Sequence, residues 1–242
     1  MVNRYKIADK VVSINSIYED VHLYCSEYLT HEPTDYIVNI TQADIEYERE
    51  KSADENKIKG IAVKNYTDQY LEELAIYRKI AEKMIDYDTV LFHGSVIAID
   101  GIGYLFTAKS GIGKSTHTKL WCEFFGERAV MVNDDKPLLK ITDNGIIAYG
   151  TPYNGKHRIG TNISVPLKAI CILTRDVNNH IKPITRNQAY AMLLQQVYRS
   201  ANALKLKKTL SLIDIIADNV KLYQLGCNMD ILAAKVAFEG MQ

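Results

Sequence analysis

The 242-residue chain contains no uninterrupted apolar run of the roughly 18 residues that a membrane-spanning helix needs. Its opening stretch, Met1 to Lys10, is mixed polar and lacks the apolar core of a secretory signal, so a cytoplasmic location is the expectation. There is no excess of charge either. Lys plus Arg and Asp plus Glu each number 29, giving a net charge of zero, whereas a nucleic-acid surface normally carries a basic surplus. Neither nucleic acid nor membrane is expected as a partner. Cysteine is sparse and scattered: Cys25, Cys122, Cys171 and Cys227 form no C-x-x-C pair, which removes the usual basis for zinc binding or dithiol chemistry. Buried thiols in a reducing compartment are expected instead. The chain shows no internal repeat and no low-complexity linker.

What is present is a strand-rich pattern with helices towards the end. Tyr5–Ile14 alternates as one or two short strands, and Tyr36–Ile40 reads as another. Residues 41–57 are highly charged and read as a surface helix or a mobile loop. Gln69–Asp86 carries Leu71, Leu74, Tyr77, Ala81 and Met84 at helical spacing, predicting one buried face. From residue 88 the apolar runs of TVLFHGSVIAIDGIGYLFTA are broken at Gly94 and by a turn at Asp100–Gly103. A helix over Lys114–Phe124 follows, then the strand RAVMVNDD. A hairpin about Asn144–Gly145 and the strand VPLKAICILTR come next. The tail shows helical stripes at Ala189, Leu193 and Val197, then at Leu210, Ile213, Ile216 and Val220. A short strand at Leu222–Leu225 precedes a last helix capped at Asn228. The pattern predicts an α/β fold bordering on α+β, with a small N-terminal α+β segment (1–86) packed on a core at 87–242.

The segment FTAKSGIGKS, residues 106–115, ends an apolar strand and opens a helix. Ala108–Ser115 matches small-x-x-x-x-Gly-Lys-Ser, with Ala108 where glycine is usual. Gly111 and Gly113 allow the turn that points successive backbone N–H groups at phosphate oxygens, and the helix start adds its positive dipole end. Ser110, Gly111, Ile112, Gly113, Lys114, Ser115 and Thr116 are therefore the expected nucleotide-binding residues, with Lys114 reaching the β- and γ-phosphates and Ser115 able to ligate Mg²⁺. About twenty residues on, Asp134 and Asp135 end a strand. One carboxylate could hold Mg²⁺ and the other take a proton from an attacking hydroxyl. His93 ends a strand expected to lie beside the loop strand, where a titrating imidazole would be useful. Residues 149–162, YGTPYNGKHRIGTN, hold Lys156 and Arg158, cations able to neutralise a transferring phosphoryl group. Arg199 and Lys205 are further cations whose place the sequence does not give.

FHGSVIAIDGIGYLFTAKSGIGKSTHT followed by VMVNDDKPLL resembles the catalytic core of bacterial HPr kinase/phosphorylase, whose P-loop fold is shared with ATP-dependent phosphoenolpyruvate carboxykinase. The resemblance covers about residues 89–140 well and the segment to 240 more loosely. It implies a P-loop core of mixed β-sheet with flanking helices, and ATP and Mg²⁺ as cofactors. It also implies phosphate and metal contacts by Gly111, Gly113, Lys114 and Ser115. His93 matches the family's active-site histidine. Asp134 is taken as the base and Asp135 as the carboxylate towards the metal. Where the family carries a glycine-rich signature after the acidic strand, this chain has Gly150–Lys156 instead, a departure that bears on whether HPr is its acceptor. The implied activity is transfer of the γ-phosphate of ATP to a hydroxyl, most simply a serine, of a peptide, protein or small molecule. The alternatives are a nucleotide-binding regulatory module without catalysis and a carboxykinase-like or phosphorylase reaction at the same site. Full-length HPr kinases assemble into hexamers, so a homo-oligomer is left open.

Overall fold

The computed structural model describes residues 1–58, 60, 62, 64–155 and 158–242. They divide into two compact units, Met1–Lys83 and Met84–Gln242.

In the first unit β1 (Val2–Ile7) and β2 (Lys10–Asn15) form an antiparallel hairpin. Ala8 and Asp9 at its tip both have positive φ, the backbone sense that matches strand twist. After the short helix α1 (Asp20–Tyr24), β3 (Tyr36–Asn39) adds parallel to β2. The charged stretch forms the helix α2 (Gln42–Ile58). Its sequence offers little apolar surface, but Ile45 is fully buried and Glu48 nearly so. Arg78 of α3 (Asp68–Met84) pairs with Glu48, and Lys79 of α3 lies 2.7 Å from Asp44. Charge pairing to a neighbouring helix therefore compensates for the weak stripe. On α3 itself the buried positions are Leu71, Ala75, Ile76, Ile80, Ala81 and Met84. Leu74 and Tyr77, expected on that face, are only half-buried, and their neighbours Ala75 and Ile76 face inward instead.

The second unit is a mixed sheet flanked by helices. Its strands are β4 (Thr89–Leu91), β5 (Ser95–Ile99), β6 (Ile102–Thr107), β7 (Ala129–Asn133), β8 (Leu138–Thr142), β9 (Gly145–Tyr149), β10 (Ser164–Arg175), β11 (His180–Pro183) and β12 (Lys221–Cys227). Its helices are α4 (Lys114–Phe125), α5 (Arg186–Gln196), α6 (Ala203–Asn219) and α7 (Leu232–Gly240). The long strand β10 unites two parts of the sheet. Its first residues pair antiparallel with β9, which continues through β8 to β4; its later residues lie parallel to both β6 and β12. β6 pairs antiparallel with β5, and β5 with β7.

The central strands are apolar on both faces because both are covered. Val96, Leu105, Ile170 and Ile172 point to a core completed by Ala189 and Leu193 of α5 and by Ile213 and Ile216 of α6. The alternate residues Ile97, Phe106, Cys171 and Leu173 point to a second core with Trp121 of α4 and Ala234 and Ala237 of α7. On α6 the inward residues are Thr209, Leu212, Ile213, Ile216 and Ala217. Leu210 instead lies on the outer side, 37% exposed, and Val197 and Val220 sit just past their helix ends. The last helix starts at Leu232, later than Asn228. Asn228 accepts the Asp230 N–H, and Asp230 in turn accepts the Leu232 N–H, so the two side chains make consecutive turns ahead of the helix. The four cysteines are free, with Cys25 and Cys171 buried and the other two half-buried. No described helix is long and apolar enough to cross a membrane.

Candidate active site at the glycine loop

The C-terminal ends of β6, β7, β10 and β12 and the N-terminal end of β5 lie on one edge of the sheet, which follows from the pairing directions. Ligands of open α/β sheets bind at such carboxyl ends. Ala108–Gly113 links β6 to α4 here. Gly111 and Gly113 have φ of 80° and 120°, left-handed values that a side chain would strain. Gly113 is the N-cap of α4 and offers no side-chain cap, so the first N–H groups of the helix are left for an anion. Ser110 on the loop and Ser115 and Thr116 in the first turn of α4 are exposed, and Ile112 is half-buried.

Lys114 reaches across to the end of β7. Its Nζ is 3.3 Å from Asp135 Oδ1, and His93 Nε2 is 3.1 Å from the same oxygen. The sequence predicts that His93 ends a strand beside β6; instead it lies in the connection between β4, which pairs with β8, and β5, and the backbone around it holds it there. Its N–H donates to Gln196 O, Gly94 N–H donates to Asp135 O, and the Thr107 hydroxyl donates to His93 O. Burial lowers the Lys114 pKa, an effect the neighbouring Asp135 opposes. Burial would raise Asp135, but hydrogen bonding to His93 and the charges of Lys114 and Lys136 outweigh it and hold the carboxyl at about 2. Asp134 behaves oppositely. It is 7% exposed, and burial raises its pKa; the Gly155 N–H bonded to Oδ1 opposes that rise, while the adjacent Asp135 charge adds to it. Two neighbouring carboxyls are thus pushed apart, the arrangement that separates a base from a permanent anion.

Asn133 fixes this strand end. Its Oδ1 accepts the backbone N–H groups of Asp135 and Lys136, and its amide donates to Thr151. That ties Thr151 to the end of β7. A Cβ on Gly155 would stand 3.0 Å from Asp134 Oδ2 and 3.3 Å from Asp135 Cβ. Gly155→Ala is therefore expected to displace the Asp134 carboxyl and lower any reaction that uses it by about 10- to 100-fold, measured as kcat beside an unchanged melting temperature. Arg158 is exposed, with its N–H bonded to Gly155 O; Lys156 lies outside the described residues. Lys205 pairs with Asp86 at 3.4 Å and is committed there. Arg199 is exposed three residues beyond Gln196, the residue that holds the His93 backbone.

Two further residues of the site carry no signal in the sequence. Arg175, at the end of β10, donates to the carbonyls of Gly111 and Ile112 and so braces the loop. Nothing local marks it; only the parallel pairing of β10 with β6 brings it there. The other is His117 on α4, 2% exposed, whose Nε2 accepts the Trp121 indole N–H at 3.0 Å. Burial lowers its pKa from 6.5 to about 4. The folded state thus binds this proton less tightly than the unfolded chain, and stability should fall as the pH drops below 6.5 and level off near 4. The expected loss is about 3 kcal/mol from this residue alone. Urea unfolding at pH 7 and pH 4 measures it; an equal loss in His117→Phe would assign the pH dependence elsewhere.

Fold and site together define a mixed α/β protein in which a glycine loop between a central strand and a helix meets a His–Asp–Lys cluster. The chain belongs to the ScmC family, described as SynChlorMet cassette protein ScmC, whose match spans residues 61–231. No curated protein matches the sequence. Among solved structures the chain is similar to the Hpr(Ser) kinase/phosphatase from Coxiella burnetii. The identity is 14%, coverage is 62% of this chain and 94% of that one, and the TM-score is 0.37, a distant likeness.

Proposed function

We propose that the protein is an ATP-dependent kinase that transfers the γ-phosphate to a hydroxyl, most simply that of a serine, in a peptide, protein or small-molecule acceptor. The observation that carries this reading is the cluster of Lys114, Asp135 and His93 at the glycine loop, with a second carboxyl, Asp134, held at a raised pKa beside it. The loop N–H groups and Lys114 would bind the triphosphate. Asp134 would accept the proton of the attacking hydroxyl, since a raised pKa makes it the better base of the two. His93 keeps Asp135 in place and ionised, and Arg158 or Lys156 would offset charge on the phosphoryl group.

Mg²⁺ fits the donors present. No group of three or more His, Cys, Asp or Glu among the described residues could hold a metal unaided. Mg²⁺ is usually held by one or two protein oxygens together with phosphate oxygens and water. The Ser115 hydroxyl and the Asp135 carboxylate would supply the protein share; the bound ion would neutralise phosphate charge.

The test is transfer of label from ATP carrying it on the γ-phosphate to a pool of serine-containing peptides. Wild type is expected to label an acceptor and Lys114→Ala to lose at least about 100-fold in rate, the cost of removing one strong electrostatic contact to the transferring group. Undiminished labelling by Lys114→Ala would defeat the proposal.

A further inference from the structure

Arg175 is the last residue of β10, and its backbone is fixed. It stands opposite Cys227 of β12, while Ile172, three residues earlier, stands opposite Thr107 at the end of β6. The Asp176 N–H donates to Cys227 O at 3.0 Å, and the Thr174 hydroxyl donates to Leu225 O at 3.2 Å. Ile170, Cys171, Ile172 and Leu173 just before it are buried between the two cores. Only the Arg175 side chain is exposed, and it turns to the glycine loop.

There Nε donates to Ile112 O at 3.2 Å and Nη2 donates to Gly111 O. These are two successive carbonyls, and a guanidinium presents its donors in a rigid fork. In a trans peptide the C=O of one residue points opposite to the N–H of the next, and no peptide bond here is cis. Holding the carbonyls of Gly111 and Ile112 therefore turns the N–H groups of Ile112 and Gly113 away from Arg175. The Ile112 N–H closes a turn on Lys109 O at 3.3 Å. The Gly113 N–H leads into the uncapped start of α4. Two peptide planes of the loop are thus oriented from outside the loop.

The loop has need of such a grip. A Cβ on Gly111 would meet nothing within 4 Å, so this glycine serves backbone freedom and not close packing. Freedom of that kind costs ordering entropy when a ligand binds, unless the loop is ordered beforehand.

We propose that Arg175 is a positioning residue for phosphate binding. It acts through the loop backbone, holding two carbonyls so that the N–H groups are aimed before the ligand arrives, and not through contact of its charge with the phosphates. The proposal rests on the kinase reading of the loop.

The experiment compares wild type, Arg175→Ala and Arg175→Lys in three measurements: calorimetric titration with ATP and with inorganic tripolyphosphate, each with Mg²⁺; the melting temperature; and hydrogen exchange of the Ile112 amide without ligand. Lysine keeps the charge but not the fixed fork. Both variants are expected to bind both ligands about tenfold more weakly, because the ordering cost moves to the binding step. Both should exchange the Ile112 amide about tenfold faster. The melting temperature should fall by no more than about 3 °C, since one exposed pair of hydrogen bonds is lost. Wild-type binding by Arg175→Lys beside weak binding by Arg175→Ala would assign the effect to charge on the phosphates and overturn the proposal. Unchanged Ile112 exchange in Arg175→Ala would overturn it as well, and so would a binding loss that merely follows a large fall in melting temperature. If wild type binds neither ligand, the kinase reading itself fails and takes the proposal with it; if wild type binds both and the variants bind equally well, only the role of Arg175 is refuted.

Discussion

Asp134→Asn is expected to lower the phosphoryl-transfer rate by about 10²- to 10⁴-fold, the range for removing a general base, while the KM for ATP changes little. The amide keeps the size of the carboxyl, and its oxygen can still accept the Gly155 N–H that now bonds Asp134 Oδ1. What is lost is the ability to take a proton. Asp135→Asn should behave differently. Asp135 is the anion shared by Lys114 and His93, held at about 2, so it is always charged at neutral pH. Its loss should raise the KM for ATP and the Mg²⁺ requirement as well as lower kcat. A kcat split of this kind distinguishes a base from a charge that positions others. If Asp135→Asn were the variant with normal ATP binding and the greater loss of kcat, the roles would be reversed.

Trp121→Ala should remove about 3–5 kcal/mol of stability, the usual cost of emptying a large aromatic from a packed core. Trp121 is completely buried. Its ring centroid lies 5.0 Å from that of Phe106, 5.3 Å from those of Tyr104 and Phe125, and 5.9 Å from that of Phe238. These rings join the loop strand β6 to α4 and α7. Truncation also strands the acceptor side of His117. Phe124, at 37% exposure on the same helix, is the control and should cost no more than about 1 kcal/mol when cut to alanine. Urea midpoints compare the two; a loss of similar size in both would mean that the aromatic cluster does not anchor α4.

The strand, glycine turn and helix of residues 102–125 were legible in the sequence because their signals are local. Small residues, Gly111, Gly113 and Lys114 stand at fixed spacing between a strand pattern and a helix pattern, and each position has its own physical reason. The hairpins were legible for the same reason, through Asp100–Gly101 and Asn144–Gly145. What escaped was non-local. Arg175 gains its place only through the neighbour that β10 takes in the sheet. The four-residue strand β11 is short and mostly exposed, so it carries no alternation to read. The inner faces of α3 and α6 were misjudged by one position at Leu74, Tyr77 and Leu210. A periodic stripe does not say whether the residue beside it, Ala75 on α3 or Thr209 on α6, is the one that turns inward. The charged helix α2 depended on partners, Arg78 and Lys79, that lie some thirty residues away.

The most direct test of the central claim, that Ala108–Ser115 is a phosphate loop for a nucleoside triphosphate, needs no acceptor. Equilibrium titration of the protein with ATP and Mg²⁺ should show one site per chain in wild type. Binding should weaken by at least about tenfold in Lys114→Ala, whose ammonium otherwise meets the phosphates. Equal binding by both proteins, or none by wild type, would contradict the account.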